Sequence, residues 1–399
     1  MMILESARQI QPHLSELRRQ FHAHPEVSQH EQETARRVQE ELEAIGGYTL
    51  RTGIGGNGIL ADLEGGQPGP KVALRADMDA LQITEETGLP FASQNSGVMH
   101  ACGHDNHITM LLGAARLLAQ YKDQLKGSIR LIFQPAEELS PVGGSRSMME
   151  AGALEGVDAV FGLHVWPELP MGTFGTKAGP LMASSDHFSV HIDGCSSHGA
   201  KPDAGLDAVV AGAQFVTAAQ TIVSRNTDPL QSAVITIGRI NGGTRYNIVA
   251  GECDLEGTCR TFNPKVRQMV ERRLQEVLDG VCTLSGCTGE LKYERGYCSV
   301  MNDPQQADYL LKTAAELFGR AGGGALHVRG GLCLLPDRET GRLCLAGHCP
   351  AGRGGMAFAQ LPFHCAGGYS VAWFGTAGPD GTEYVPEIRK NAKGPRRWK

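Results

Sequence analysis

Residues 99–107 read Met-His-Ala-Cys-Gly-His-Asp-Asn-His, which places one thiol (Cys102), three imidazoles (His100, His104, His107) and one carboxylate (Asp105) in a single short segment. Thiolate, imidazole and carboxylate are the side chains that hold zinc-like divalent ions. Gly103, between Cys102 and His104, frees the backbone to turn both groups toward one ion. A competing reading is a polar loop that caps a helix through Asp105. An apolar helical pattern follows at Ile108, Leu111, Leu112, Ala115 and Leu118, and His107 is expected on its solvent side.

Three apolar runs end in residues of the same chemistry. Residues 72–79 end in Asp77 and Asp79, residues 129–138 in Glu137 and Glu138, and residues 159–164 in His164. These runs predict strands, and segments with helical spacing, such as 109–120, lie between them. The alternation predicts an α/β domain on a mainly parallel sheet. Ligands gather at the carboxyl ends of strands in such sheets, so the chemistry should converge on one rim. Cys102, His104, Glu138 and His164 come from three segments, as the ligands of a folded metal site usually do. A bridging thiolate or carboxylate would hold two ions about 3.5–4 Å apart, and such an ion brings the pKa of bound water to about 7. Of the paired glutamates, one would bind metal and the other would carry a proton. Asp77 is expected to hold a ligand histidine in its tautomer, with a strand-end turn as the alternative. His24, Pro25, Glu26 and Glu31 read as surface and capping residues, and His198 as a structural histidine on a glycine-flanked turn.

The elements that must position these groups fall into two sets. After Met182, alternation at Phe188, Val190 and Ile192 predicts a strand, then a helix at 207–224 and strands at 232–240 and 247–262. A charged helix at 265–280 and a last strand at 290–294 complete a β-α-β-β-α-β order, which predicts a ferredoxin-like α+β unit. That unit, 181–294, is expected as an insert in a first domain made of 1–180 plus 295–399. At the start of the chain, Ile3, Leu4, Ala7, Ile10, Leu14, Leu17 and Phe21 have helical spacing among charges, which predicts a surface helix rather than a signal peptide.

A chain of 399 residues has room for more than one domain. Its net charge of −6 gives no reason to expect nucleic acid or an anionic membrane as partner, and no apolar run approaches membrane-spanning length. Eleven cysteines without paired spacing suggest reduced thiols, so the expected location is the cytoplasm.

The motifs His22-Ala23-His24-Pro25-Glu26, Arg75-Ala76-Asp77-Met78-Asp79-Ala80-Leu81 and His100-Ala101-Cys102-Gly103-His104-Asp105 continue with Gln134-Pro135-Ala136-Glu137-Glu138 and Gly162-Leu163-His164-Val165. Ser197-His198-Gly199-Ala200, Gly242-Gly243-Thr244 with Asn247, and Gly257-Thr258 with Arg260-Thr261-Phe262 follow. In this order, over residues 1 to about 320, the chain resembles the dinuclear metallopeptidase superfamily of aminoacylases and bacterial carboxypeptidases. It is most similar to the subgroup of hippurate hydrolases, N-acyl-amino-acid amidohydrolases and auxin-conjugate hydrolases. The resemblance implies that Cys102, His104, Glu138 and His164 are metal ligands, that the Cys102 thiolate bridges, and that Glu137 is the general base. Arg75 stands where relatives with other substrate classes carry a ligand histidine. His198 resembles the insert histidine that steadies the oxyanion across a dimer, and Asn247 and Arg260 fall in substrate-facing segments. The implied cofactors are two divalent ions per subunit, manganese or zinc, with cobalt or nickel as alternatives. The implied partners are a small N-acyl-amino-acid substrate and a second copy of the chain, docked through the insert.

Two departures stand out. After Glu138, where the family continues with glycines, the chain has Leu139-Ser140-Pro141-Val142 before Gly143-Gly144. From about residue 320 the periodicity breaks down, and the family's Glu-Asp-Phe motif, Pro-Gly…Leu-Gly segment and last ligand histidine are missing. Read from the second base of each codon, Gly330-Gly331-Leu332 is compatible with Glu-Asp-Phe, and the remaining landmarks follow in order. A single-base slip upstream of Gly330 accounts for this, with the lost histidine encoded across codons 359 and 360. The alternative is a divergent tail in which His348 or His364 supplies the ligand.

The sequence reading is therefore a metal-dependent amidohydrolase acting on hippurate-like or N-acetyl-amino-acid substrates. Its alternatives are a catalytically impaired metal-binding chain and a dipeptide exopeptidase. A zinc nucleobase deaminase is disfavoured because no Pro-Cys-x-x-Cys accompanies the histidine loop.

Overall fold

The computed structural model describes residues 2–141, 143–167 and 174–318, with short strands at 332–335, 362–365 and 369–372. The tail expected to be out of frame, apart from these strands, and the side chains of His348 and His364 lie outside the described residues.

Two helices open the chain, α1 (Met2–Ala23) and α2 (Gln32–Ile45). Strands β1 (Thr49–Ile54), β2 (Gly58–Glu64) and β3 (Gln67–Asp77) follow, then α3 (His104–Gln120), β4 (Lys126–Gln134), α4 (Gly144–Glu150) and β5 (Ala159–Leu163). In the sheet β4, β3 and β5 lie side by side and parallel, while β2 and β1 extend one flank antiparallel. The parallel character thus belongs to the centre, where crossover helices cover the strands. Ala61, Leu63, Leu74, Ala76, Leu131 and Phe133 face α1, α2 and α3, and the alternate residues Leu60, Ala73 and Ile132 face Met148 of α4. Burial of both faces explains why these strands read as continuous apolar runs.

The apolar stripe of α1 behaves as its spacing predicts. Ala7, Leu14, Leu17 and Phe21 are buried against α3. The helices approach closely at Gly113, where a β-carbon would come within 2.7 Å of Leu14 Cδ1. Apart from the half-buried Arg116, α3 is buried from His104 to Leu118, so its polar first turn is also interior.

After β6 (Gly179–Met182) comes the insert: β7 (Asp186–Asp193), α5 (Ala208–Thr221), β8 (Ala233–Gly242), β9 (Glu252–Thr261), α6 (Pro264–Ser285) and β10 (Thr288–Arg295). Its sheet has the order β10-β7-β9-β8 and is antiparallel throughout, the ferredoxin-like arrangement predicted by its element order. Phe188, Val190, Ile192, Leu255 and Cys259 pack against Phe215 of α5 and Val270, Leu274 and Leu278 of α6. Asp207 and Asn263 cap these helices by accepting amide hydrogens of their first turns. The strand expected from residue 247 starts at Glu252, because Asn247, Ile248 and Val249 pair instead with the segment from Ser197 to Gly199.

Beyond the insert, β11 (Val300–Asn302) pairs antiparallel with β6, and α7 (Pro304–Phe318) packs into the main core through Ala307, Leu310 and Ala314. In the tail, β12 (Leu332–Leu335) adds to the main sheet antiparallel to β5. Among the described residues no helix is long and apolar enough to cross a membrane.

Candidate active site

Gly103 sits at φ +86°, just before α3, and a β-carbon there would collide with Val165 Cγ2. Only glycine meets both conditions, and the turn it makes presents Cys102 and His104 to the same side. Ligand atoms of Cys102, His104 and His164 all lie within 4.8 Å of one another, as do those of His104, Glu137 and Glu138. A third such group is Asp77, His104 and His107. The ends of β3, β4 and β5 thus bring together the residues expected on one rim.

The ring orientations suit cation binding. His104 places Nδ1 2.8 Å from the Asp79 carbonyl, which takes its hydrogen and leaves Nε2 facing the cluster. His164 bonds the Val165 carbonyl through Nδ1 and turns Nε2 toward Cys102 Sγ, 3.5 Å away. His104 Nε2, Glu138 Oε1 and Glu137 Oε2 are buried without a hydrogen-bond partner. Orphaned buried polar atoms are costly. Here an imidazole nitrogen and carboxylate oxygens converge on a thiol, a donor set that fits divalent ions.

The paired glutamates occupy a loop after β4 that is held by side chains from distant parts of the chain. Ala136 has the left-handed φ of +50°, a conformation that costs a non-glycine residue about 1–2 kcal/mol. Its amide donates to Glu31 Oε1 at 2.7 Å, and the Glu138 amide donates to Asp79 Oδ2 at 2.9 Å. Burial pushes the Glu137 carboxyl well above the usual carboxylate range, His104 opposing and Glu138 adding to the rise. Burial also raises Glu138 and lifts the Cys102 thiol to about 12. For Asp77 burial acts upward, but Arg75, His104 and His107 overcome it and hold the group well below its ordinary value.

Asp77 makes its direct bonds to Arg75 and to His107, and stands 3.6 Å from His104 Nε2. His107 is not on the helix surface: it is 1% exposed, because α3 is covered on every side at its first turn. Its spacing of three from His104 places both on one helical face, the signal that could have identified it. Asp105 does not cap α3 either. It is buried against Arg18 and His22 of α1, and His22 also reaches Glu85. Glu31, read from sequence as a capping residue, is completely buried beneath the glutamate loop. The remaining expected residues lie on the insert. His198 is exposed and pairs in a β-bridge with Ile248, while the Asn247 carbonyl accepts the Gly199 amide at 2.8 Å. Arg260, near the end of β9, bonds Thr258 and the Cys259 carbonyl. Among the described residues, none of these three belongs to the metal-ligating groups.

A rim that can hold divalent ions beside a buried glutamate able to carry a proton has the chemistry of a metal-dependent hydrolase. Known proteins agree. The model of peptidase family M20/M25/M40 matches residues 73–331. The N-acyl-L-amino acid amidohydrolase of Geobacillus stearothermophilus is 42% identical over 318 residues, covering 79% of this chain and 84% of that protein. The N-acetylcysteine deacetylase of Bacillus subtilis (strain 168) is 41% identical over 320 residues, covering 79% and 81%. A solved structure, the dinuclear metal binding peptidase of the M20 family from Bacillus subtilis, has a TM-score of 0.68 at 38% identity, covering 78% and 81%. The chain belongs to peptidase family M20/M25/M40 and is a metal-dependent hydrolase of amide bonds.

Proposed function

We propose that the protein removes the acyl group from N-acyl-amino acids, with Glu137 as general base and acid. The observation that carries this is the buried Glu137 carboxylate, its Oε2 without a hydrogen-bond partner, beside His104 and Glu138 and next to Cys102 and His164. Relatives named N-acyl-L-amino acid amidohydrolase and N-acetylcysteine deacetylase support the substrate class.

Cys102, His104, Glu138 and His164 would hold two divalent ions, manganese or zinc (cobalt or nickel as alternatives). When bound, these ions supply Lewis-acid activation of water and of the acyl carbonyl. Glu137 takes a proton at its carboxylate from the water that attacks the acyl carbon, and returns it to the amide nitrogen as the carbon–nitrogen bond breaks. Burial raises its proton affinity above the usual carboxylate range, which favours its holding that proton between the two transfers. Asp77 holds the rim in place through His107. His198, exposed and outside the cluster, steadies the developing oxyanion from the partner subunit of a homodimer formed through the insert. Asn247, whose Oδ1 is buried and unpartnered, and Arg260 bind the amino-acid part of the substrate. The site belongs to a first domain of residues 1–180 plus 295–399, with 181–294 as the insert, and the protein works in the cytoplasm.

A second reading is favoured by where the family match stops, at residue 331. If the tail as written replaces the family's last ligand histidine, this chain holds its ions weakly and turns over slowly. An exopeptidase acting on free dipeptides is the nearest alternative enzyme.

Hydrolysis of N-acetyl- and N-benzoyl-amino acids, set beside free dipeptides and with added manganese, zinc or cobalt, separates these readings. Glu137→Gln is expected to lower kcat at least about 100-fold with the ion content unchanged. Full activity in that variant would overturn the assignment of Glu137. Sedimentation should show a dimer.

A further inference from the structure

We infer that Tyr297 is a positioning residue for the base, fixing the peptide bond between Glu137 and Glu138 from the segment that returns from the insert. The inference rests on reading Glu137 as base and Glu138 as ligand. A trans peptide points its carbonyl and its amide hydrogen in opposite directions. Here each end has its own side-chain partner. The Tyr297 hydroxyl donates to the Glu137 carbonyl at 2.8 Å, and the Glu138 amide donates to Asp79 Oδ2 at 2.9 Å. Rotation of this one peptide plane would move both carboxylates away from their stations, so the clamp keeps the two roles apart.

The surroundings of Tyr297 are built for this contact. Gly143, at φ +40°, leaves open the space that the hydroxyl fills, and a β-carbon there would overlap it. Tyr297 is itself held by the junction of the insert. Its carbonyl accepts the Ser185 amide at 3.0 Å, and the amide of the preceding Gly296 donates to Asp186 Oδ1 at 3.1 Å. Asp186 is 1% exposed and receives Arg267 Nε of α6 at 2.9 Å and the Tyr293 hydroxyl at 2.8 Å. Arg267 also donates to the Gly296 carbonyl at 2.9 Å. The strand that enters the insert, the segment that leaves it and helix α6 therefore meet at Asp186, whose partner Gly296 directly precedes Tyr297. Any shift of the insert on the main domain reaches the glutamate peptide through that hydroxyl.

Tyr297→Phe removes only the oxygen. In the full chain, hydrogen exchange at the Glu138 amide is expected to rise about tenfold on loss of one hydrogen bond, with exchange in the insert core and Tm unchanged. Arg267→Gln, which loosens the junction without touching the loop, should raise exchange at the same amide. In the manganese-loaded protein, Tyr297→Phe should lower kcat about tenfold while KM stays within about twofold, and should cost nothing further in a Glu137→Gln background. Activity retained in Glu137→Gln would sink the base assignment. Turnover lost in Glu137→Gln, with Tyr297→Phe unchanged in both exchange and kcat, would sink the role of Tyr297 alone.

Discussion

His107 Nδ1 lies 2.6 Å from Asp77 Oδ1, while its Nε2 accepts the Val165 amide at 3.0 Å. An amide can only donate, so Nε2 carries no hydrogen and the ring donates from Nδ1 to the carboxylate. One buried imidazole thus ties the end of β3 to the residue that follows His164. The His107 and His164 rings also meet edge to face, with centroids 4.7 Å apart.

Partners behind a ligand commonly change metal affinity by about 10–100-fold when removed. His107→Phe keeps the ring volume but releases Val165, so manganese or zinc affinity should fall within that range while the circular dichroism spectrum stays native. Titration calorimetry measures it. Unaltered affinity would mean that the bond to Val165 does not orient His164.

Gly103→Ala should damage the site from the backbone outward. The left-handed conformation alone costs an L-residue about 1–2 kcal/mol, and the overlap with Val165 Cγ2 adds to it. The expected result is a lower Tm and weaker metal binding together. A variant with native Tm and affinity would show that the turn before α3 can relax.

Away from the rim, Arg130 forks Asp62 across β2 and β4 and donates to the carbonyls of Gly152 and Ala153. Burial pushes the Asp62 carboxyl upward, but Arg130 and Lys71 outweigh it and leave the folded value lowered. A depressed folded value gives stability that is present above the unfolded pKa and lost as pH falls through the folded one. Asp62→Asn should therefore cost about 2 kcal/mol near pH 7, less than a fully buried pair because Asp62 keeps some solvent contact. The difference from the unchanged protein should hold down to about pH 4 and shrink only as pH falls further, through the lowered folded value. Urea melts at several pH values test this, and a constant difference would exclude the ion pair as its source.

The tail gives a prediction in metal stability. An ion at about 100 times its Kd adds about 2.7 kcal/mol to folding. A chain with the reading frame restored from codon 330 should hold two manganese ions and gain about that much for each. The chain as written should gain less and lose its ions sooner to a chelator. Equal gains would show that the tail as written supplies the missing ligand.

Much of the site was legible because its ligands sit where apolar runs stop. Cys102 and His104 flank a glycine, Glu137 and Glu138 follow β4, and His164 follows β5, so local pattern and chemistry coincide. The residues behind them were not legible. His107, Glu31 and His22 each look like ordinary polar residues on helices or turns, and their importance comes from burial by elements far away in the chain. Tyr297 carries no motif at all; its reach to Glu137 spans 160 residues of sequence.

By itself the sequence determined the α/β class, the βαββαβ order of the insert and the donor atoms available for metal. These follow from periodicity and from side-chain chemistry, which are local properties. Only the tertiary structure decided which donors converge, which histidine nitrogens face them and what holds the glutamate peptide. Those depend on register between strands and on the packing of α1 and α3. A hydrogen bond between distant segments leaves no trace in the residues around either end.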